Sequence, residues 1–313
     1  MRIAVRARYY LIYAFFRVLV AGVLSLGYER ALWVSRRLAD LGFRLDRRHR
    51  KRAIENLGRA LPELGEEEWR RLARESFRSF AQVLVESAYI PRLLTANSVD
   101  RLVSYTIHPG AAKAIARGTG IIFVGAHTGN WELTGQVGGL HGLPLVSVAR
   151  PRDNPYLEAH VIKNRERHGQ RIVAKKGAVR DLSRALREGE YLGMLVDQNN
   201  GRNGVFVDFF GRKASTTGAP AMLALRFKVP IIPASNRRVG RGFQYAIHVG
   251  KPLAVPNTGN REEDVRILTQ AMTDRVEAWV RRDPDQWLWG HRRWKSRPKE
   301  EQQWRSNPST STG

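Results

Sequence analysis

The sequence contains no cysteine. This absence excludes disulfides, thiolate metal sites and cysteine nucleophiles, and it leaves the redox compartment of the protein undetermined. A G-x-S-x-G motif is also absent, so nucleophilic hydrolysis by an activated serine finds little support. Histidines number only eight, and His127 has neither the H-E-x-x-H spacing of zinc peptidases nor a second histidine nearby. We therefore expect no metal site.

Acidic residues are few compared with basic ones. The chain has 29 Asp and Glu residues against 53 Lys and Arg residues, which gives a formal net charge of +24. A charge of this sign favours anionic partners such as nucleic acid, anionic lipid or a phosphorylated substrate. The excess is spread along the whole chain, so an arginine-rich proteome is an alternative explanation that requires no functional meaning.

Long apolar runs are also scarce, and the one candidate membrane segment is Tyr9 to Leu26. It has borderline length for a span, and Arg17 near its middle disfavours a simple one. Basic residues flank both ends, so the charge rule gives no orientation. We expect residues 1–27 to form an anchor embedded in, or lying in, the cytoplasmic face of a membrane. A signal peptide and a helix buried in the protein are the alternatives.

In the rest of the chain, the hydrophobic pattern changes at Pro109-Gly110. Residues 28–108 are predicted to be a helical region packed on the α/β domain that follows, because apolar residues recur there at helical spacing. Residues 109–295 alternate between strands and helices, which indicates an α/β fold with a central, mostly parallel or mixed sheet flanked by helices. Residues 296–313 are rich in Ser, Thr and Pro and are expected to be a disordered tail. Strands are expected at 121–126, 143–148, 172–174, 191–196, 229–234 and 244–249, and helices at 154–168, 179–186, 220–227 and 264–281.

The stretch GAHTGNWE carries the chemistry. His127 stands at the end of the apolar run IIFVGA, at the strand end where α/β folds bind ligands. Thr128, Gly129 and Asn130 make a turn, in which Thr128 or Asn130 can cap the next helix and backbone N–H groups of the turn can face an oxyanion. Glu132 in the first helical turn can reach back to the imidazole, whose other nitrogen is then free to take a hydroxyl proton. H-x4-E alone is a weak pattern, and a histidine that only satisfies a turn would explain it too.

The chain resembles the bacterial lipid A late acyltransferases, within the lysophospholipid acyltransferase superfamily, whose signature is H-x4-D/E. His127 and Glu132 match that signature, and further blocks follow in the family's order over nearly the whole chain. These blocks are HRKRAIENLGRALPEL (49–64), RPRDNPYLE (150–158), NRERHGQRIVAKKGAVRDL (164–182), LVDQNNGRNGVFVDFFGRKASTTG (195–218), PAMLALRFKVPIIPA (220–234) and QWLWGHRRWK (286–295).

The resemblance implies transfer of a fatty acyl group from a thioester of acyl carrier protein or coenzyme A to a hydroxyl of an anionic glycolipid, a lipid A precursor. His127 would be the general base and Glu132 would orient it, with direct attack and no acyl-enzyme. No cofactor beyond the donor thioester is implied. The enzyme would work at the inner membrane, with its catalytic domain facing the cytoplasm.

Three further residues are candidates for substrate binding. Arg150, after the second strand, can bind a phosphate of donor or acceptor, or form a loop salt bridge. Arg165 lies near a position where relatives use arginine on the acceptor's polar head, although a solvated helix face is the alternative. Asp197 ends a buried strand and points towards the rim that carries His127, where it can support the dyad or shape the acceptor site.

The last block interleaves Trp287, Trp289 and Trp294 with basic residues, a combination that suits either a membrane interface or packing of the last helix. Two rival functions stay open. A phosphatidylinositol mannoside acyltransferase would share the dyad and much of the fold. A nonenzymatic basic protein would bind membrane or nucleic acid, but no nucleic-acid-binding module is recognisable, so we expect no nucleic-acid partner.

Overall fold

The computed structural model of the chain describes residues 3–175, 177–240 and 242–298. The predicted tail therefore falls mostly outside the described residues. The helices are α1 (Ile3–Ser25), α2 (Tyr28–Leu45), α3 (Arg47–Ala60), α4 (Gly65–Leu93), α5 (Val99–Leu102), α6 (Pro109–Ala116), α7 (Trp131–Leu140), α8 (Pro155–Arg165), α9 (Ala178–Arg187), α10 (Ala219–Phe227) and α11 (Arg261–Arg282). The strands are β1 (Val103–Ile107), β2 (Ile121–Gly125), β3 (Leu145–Ala149), β4 (Arg171–Ala174), β5 (Tyr191–Leu195), β6 (Val205–Phe209), β7 (Arg212–Thr216), β8 (Ile231–Arg238) and β9 (Tyr245–Val249).

Seven of these strands form one sheet in the order β1-β9-β8-β2-β5-β3-β4. Every neighbouring pair in it is parallel except β8 and β9, which are antiparallel. The predicted mostly parallel or mixed sheet is therefore confirmed. Each predicted strand of the α/β region is present, with bounds shifted by at most a few residues.

The central strand β2 explains why the sheet has helices on both faces. Ile121, Ile122, Phe123 and Val124 are all buried, as expected for a parallel strand covered on both sides. Alternate residues pack into different clusters, because successive side chains of a strand point to opposite faces. Ile121 and Phe123 pack with α6, whereas Ile122 and Val124 pack with α9, α10 and α11.

The N-terminal helical region packs through α2, α3 and α4. Asp40 of α2 accepts hydrogen bonds from Arg74 and Arg78 of α4, and these ion pairs hold the pKa of the Asp40 carboxyl below its usual range. The sequence predicted a helical region up to residue 108, but its last residues are not helical. Residues 103–107 form β1, an edge strand that pairs with β9, so the helical region and the α/β region share one sheet.

The anchor candidate α1 is long and apolar enough to cross a membrane: Ala4–Ser25 has a mean hydropathy of 1.5, and no residue of its apolar window is buried. One end of α1 contacts the α/β region. Asn154 donates to the carbonyl of Tyr9 at 2.9 Å, and the Tyr156 ring stacks on Tyr13 with centroids 6.0 Å apart. At the other end, Tyr89 of α4 donates to the carbonyl of Val23. The helix is thus packed on the protein along one side, while Leu11, Phe15 and Val18 on its other side are exposed.

A second feature that the sequence did not indicate is the hairpin of β6 and β7. Phe210 and Gly211 connect the strands with φ values of 54° and 66°, as a two-residue turn with both φ positive requires. Phe209 and Phe210 are buried, and Trp294 stacks on Phe209. Trp287, Trp289 and Trp294 are all buried in the main core. Packing is therefore their role, and the alternative of a membrane interface is wrong for these three side chains.

Candidate active site

The register of β2 and β5 brings two site residues together. Gly125 pairs with Leu195 at the carboxyl ends of these parallel strands. The residues two positions further along each strand are His127 and Asp197, so they leave the sheet side by side. His127 Nδ1 lies 2.7 Å from Asp197 Oδ1, and the backbone N–H of His127 donates to Oδ2 at 2.9 Å.

Asp197 is almost completely buried, with 3% of its side chain exposed. The indole Nε1–H of Trp287 also donates to Oδ2, at 2.8 Å. Burial alone would raise the pKa of Asp197, but attraction and hydrogen bonding by His127, with help from Trp287, hold that pKa well below its usual range. Asp197 is therefore a carboxylate, and as such it fixes Nδ1 of His127 as the protonated nitrogen.

The other ring nitrogen of His127 is left as an acceptor. The Gln198 amide Nε2 lies 3.3 Å from it, and the Trp131 indole stands edge-on to the imidazole with centroids 5.1 Å apart. Burial of the imidazole opposes its protonation, yet attraction by Asp197 outweighs this and raises the pKa of His127. A ring with one nitrogen held by a carboxylate and the other available is suited to take a proton from a hydroxyl.

Glu132 does not occupy the place that the sequence suggested. Its two carboxylate oxygens accept hydrogen bonds from Arg165, with Nε to Oε2 at 2.7 Å and Nη2 to Oε1 at 2.5 Å. The Nδ1 partner of His127 is Asp197, so the expectation that Glu132 holds the ring is corrected. Burial would raise the pKa of Glu132, but Arg165 lowers it, and the resulting negative charge helps to raise the pKa of His127.

Two of the three residues expected to bind substrate, Asp197 and Arg165, contact other side chains of the site. Asp197 lies behind the imidazole with its oxygens bonded to His127 and Trp287, which places it in support of the histidine. Arg165 lies beside the site, but its guanidinium holds Glu132 in a bidentate pair. Both residues thus hold other side chains. For Asp197 this agrees with the alternative of dyad support, whereas Arg165 was expected to bind the acceptor.

Gly129 and Asn130 form the turn rather than an oxyanion hole. The N–H of Gly129 donates to the Gln286 carbonyl at 3.2 Å, and the N–H of Asn130 donates to Asn236 Oδ1 at 2.8 Å, so neither is directed at a substrate. Gly129 has φ 56°, and a Cβ there would lie 2.3 Å from Asn236 Oδ1, so only glycine fits. The prediction that Asn130 caps the helix is confirmed, because its Oδ1 accepts from the N–H groups of Glu132 and Leu133.

His127 lines a cavity of about 490 Å³. Part of its lining is apolar and comes from the sheet, including Phe123, Leu145 and Met194. Another part is cationic, and the exposed side chains of Arg150 and Arg152 belong to it. A cavity that combines an apolar wall with exposed cations suits an amphiphile with an anionic head. In the described part of the chain, no group of three His, Asp or Glu residues is placed to hold a metal ion.

The C-terminal segment supplies residues that sequence reasoning did not assign to the site. Arg293 is 1% exposed and donates to the carbonyls of Ser215 and Gln198 and to the hydroxyl of Thr216. Burial lowers its pKa to about 10, against the attraction of Asp197. Arg293 thereby holds the loop that carries Asp197 and Gln198. The only sequence signal for this role of Arg293 was the cluster of Trp and Arg residues around it. The residues that Arg293 contacts lie more than 70 positions away in the chain, so the sequence did not reveal them.

Comparison with known proteins shows the family of the chain. Residues 3–296 match the family model described as bacterial lipid A biosynthesis acyltransferase. A lipid A biosynthesis lauroyltransferase of Escherichia coli K12 is 28% identical over 266 residues, which cover 83% of this chain and 84% of that protein. A lipid A biosynthesis palmitoleoyltransferase of the same strain is 26% identical over 256 residues, covering 79% and 78%. A phosphatidylinositol mannoside acyltransferase of Mycobacterium tuberculosis is 28% identical over 197 residues, covering 61% and 59%.

The family model spans the anchor candidate, the helical region and every strand of the sheet, so the match is not confined to the short motif around His127. It extends from α1 to the buried Trp-Arg segment that closes behind Asp197. On this match the chain belongs to the bacterial lipid A biosynthesis acyltransferase family.

Proposed function

We propose that the chain, an acyltransferase by its family, moves a fatty acyl group from a thioester of acyl carrier protein or coenzyme A to a hydroxyl of a lipid A precursor, with His127 as general base. The observation that carries the proposal is the His127–Asp197 pair, in which His127 Nε2, beside the Gln198 amide, belongs to a cavity with both apolar and cationic walls. That arrangement fits an acceptor hydroxyl on an anionic lipid and a donor with a long apolar chain.

In the proposed step, Nε2 of His127 takes the proton of the acceptor hydroxyl while the oxygen attacks the thioester carbonyl. The new C–O bond gives a tetrahedral oxyanion, and the imidazolium is stabilised by Asp197. Collapse breaks the C–S bond, and the imidazolium returns its proton to the leaving thiolate. The amide of Gln198, beside Nε2, is the group we assign to donate to the oxyanion, because the N–H groups of Gly129 and Asn130 have other acceptors.

The lining of the cavity supports the substrate class. Burying a fatty acyl chain against Phe123 and Leu145 contributes about 0.8 kcal/mol for each methylene. Arg150 and Lys175 are exposed at the cationic part, where a phosphate of the acceptor or donor would be paired. We keep Arg150 as a phosphate-binding residue, because its side chain stands at this cavity.

A second acceptor requires a test because one relative is named as a phosphatidylinositol mannoside acyltransferase. That match covers 61% of this chain, whereas the lipid A lauroyltransferase match covers 83%. The wider match favours the lipid A precursor, and both acceptors would use the same His127 chemistry.

We also propose that the enzyme works at the cytoplasmic face of the inner membrane. The exposed apolar helix α1 leads through Gly27 directly into α2. The face of α2 that points away from the protein carries Trp33, 60% exposed, and Leu41, 50% exposed, beside Arg37. Tryptophan, leucine and arginine on one exposed helical face are suited to the interface of an anionic bilayer.

The test is acyl transfer by the purified, detergent-solubilised protein. Labelled thioesters of acyl carrier protein and of coenzyme A are each offered with a lipid A precursor and, separately, with phosphatidylinositol mannoside. His127→Ala is the inactive control, and Arg266→Ala, on the exposed face of α11, is the matched neutral control. We expect transfer to the lipid A precursor that disappears in His127→Ala alone. Transfer only to phosphatidylinositol mannoside would show that this lipid is the acceptor. If the folded protein transfers an acyl group to neither lipid, the proposal is refuted.

A further inference from the structure

A buried carboxylate in the helical region lies next to the site turn. Glu86 of α4 is 0% exposed and accepts hydrogen bonds from four side chains. Its Oε2 accepts from Arg238 Nη2 at 3.0 Å and from Asn130 Nδ2 at 2.9 Å. Its Oε1 accepts from Gln82 at 2.9 Å and from the Tyr28 hydroxyl at 3.2 Å. The donors come from α2, α4, the site turn and β8, so Glu86 joins both regions of the chain.

This cluster is not explained by stability. A buried ion pair such as Glu86–Arg238 gives back in attraction about what its desolvation costs, so an apolar pair of similar volume would serve the core as well. Burial lowers the pKa of Arg238, and the attraction of Glu86 outweighs this and raises it. Arg238 therefore stays charged inside the protein. Because this ion pair adds little to stability and lies next to the turn after His127, we expect its role to be in the geometry of that turn.

The contact that matters is the one with Asn130. Its amide has two ends, and only the oxygen can cap α7 by accepting from the N–H groups of Glu132 and Leu133. Because Glu86 accepts from the nitrogen end, it selects this orientation of the amide. A flipped amide would set its NH₂ group against the helix N–H groups and lose the cap.

The start of α7 carries two of the groups that surround His127. Trp131 stands edge-on to the imidazole, and Glu132 holds Arg165 beside the cavity. A second path reaches the same turn, because Arg238 donates from its backbone to Gln286 Oε1, and the Gln286 carbonyl accepts from Gly129. Both paths begin at the Glu86–Arg238 pair and end on the residues that follow His127.

We propose that Glu86 is a positioning residue for acyl transfer, which orients Asn130 and thereby sets the start of α7 against the His127 imidazole. The proposal rests on the proposed function for its assay. Glu86 touches neither substrate nor the reacting atoms, so its loss lowers kcat, while the KM values for donor and acceptor stay unchanged.

The experiment compares Glu86→Gln with the double variant Glu86→Gln/Asn130→Asp. In the single variant, the amide at position 86 has one accepting oxygen where the carboxylate has two, and it carries no charge opposite Arg238. It can no longer accept from all four donors at once, and we expect kcat to fall at least tenfold. In the double variant, the carboxylate introduced at position 130 would place one oxygen on the α7 N–H groups. Its other oxygen would accept from the amide introduced at position 86, with the buried charge opposite Arg238 restored. We expect this exchange to recover most of the lost kcat.

A matched control comes from the same helix. Glu75 of α4 pairs with Arg78 away from the site, so Glu75→Gln makes the same chemical change without reaching the turn. We expect its kcat to equal that of the wild type. A fall in Glu75→Gln as large as that in Glu86→Gln would assign the loss to α4 in general and overturn the proposal.

Two further readouts separate a positioning role from a structural one. Thermal melts give the folded fraction of each variant, and kcat is expressed per folded molecule. The titration of His127, followed by NMR of the labelled ring, reports on the site even if neither lipid is an acceptor. We expect the pKa of His127 to fall in Glu86→Gln and to return in the double variant. An unchanged kcat and titration in folded Glu86→Gln, or losses that the exchange does not recover, would overturn the proposal.

Discussion

The chemistry of this site depends on which carboxylate holds the imidazole. Sequence reasoning selected Glu132 because it lies one helical turn beyond His127, whereas Asp197, 70 residues further along the chain, makes the contact. The spacing of residues along the chain predicts contacts within one turn or one helix. It does not predict contacts with residues that lie on a neighbouring strand. The sequence did predict that Asp197 stands at the same rim, and only the pairing of β2 with β5 turns that rim position into a bond.

The charge of Asp197 can be removed with almost no change in shape. In Asp197→Asn, the amide can present its NH₂ group to Nδ1 and so select the wrong tautomer of His127, and we expect kcat to fall by roughly 10³- to 10⁴-fold. The pH profile gives an independent check. The active form has neutral His127, whose pKa is raised in the wild type, so activity rises with pH through that raised value. Without the Asp197 charge, the rising limb of kcat/KM moves to lower pH.

Measurement of kcat/KM against pH for both proteins tests this prediction. Arg165→Lys provides the comparison, because it keeps a cation beside Glu132 while losing the bidentate pair. A limb that stays in place in Asp197→Asn would mean that the observed titration belongs to a group other than His127.

Gln198 makes a different prediction, because its amide is assigned to the oxyanion. Gln198→Ala is expected to lower kcat by about 10²- to 10³-fold, the usual cost of one oxyanion donor. The pH limb should stay where it is in the wild type, since Asp197 still holds Nδ1. Steady-state rates across pH distinguish the two variants, and a shift of the limb in Gln198→Ala would contradict the assignment.

At the scale of the elements, the strands and helices of the α/β region follow from hydrophobic periodicity. The exceptions have physical reasons. Residues 103–107 form an edge strand with several exposed side chains, so no buried run marked them. The hairpin of β6 and β7 is short, and β7 carries the polar residues Ser215 and Thr216 at buried positions, so no apolar run marked it. The order of the strands was not predictable, because it depends on contacts between segments that lie far apart in the chain.

The packing of β2, β3 and β5 sets the size of the apolar part of the cavity. Phe123, Gly193 and Ser147 are neighbours across these strands and all line it. A Cβ at Gly193 would lie 2.9 Å from Ser147 Oγ and 3.0 Å from Leu145 Cδ1, so an added methyl would push these side chains into the space. We expect Gly193→Ala to favour shorter acyl chains, by roughly fourfold for each methylene excluded.

Competition between thioesters of different chain length in one reaction measures this preference. Gly250→Ala is the control, because a Cβ there would meet its nearest neighbour, the Pro233 carbonyl, at an ordinary 3.4 Å and lies away from the cavity. The same product ratio for Gly193→Ala and the wild type would place the acyl chain elsewhere.

At the scale of the whole molecule, the apolar surface is divided between a buried core and the outside of α1 and α2. Trp33 is 60% exposed, while Trp287, Trp289 and Trp294 are buried. A tryptophan at a bilayer interface meets brominated acyl chains, which quench its emission, and a buried one does not. We therefore expect lipid-dependent quenching in anionic vesicles that is lost in Trp33→Phe.

Fluorescence of the wild type and Trp33→Phe in vesicles with and without brominated phosphatidylglycerol tests this placement. Trp289→Phe is not a suitable control, because Trp289 packs in the core. The control is instead Leu64→Trp in the Trp33→Phe background, which puts a tryptophan at another exposed position. Quenching that persists unchanged in Trp33→Phe would show that α2 does not face the lipid.

The contact between α1 and α8 has a kinetic consequence. Asn154 and Tyr156 hold α1, and α8 ends in Arg165, which pairs with Glu132 at the cavity. With α1 in the bilayer, the catalytic cleft travels with it and meets acceptor by lateral diffusion in two dimensions. The relevant acceptor concentration is then a mole fraction within the lipid phase. Adding inert lipid while the bulk concentration of acceptor is held constant would lower the mole fraction of acceptor and slow turnover. Adding buffer would lower the bulk concentration but not the mole fraction, and turnover would not change.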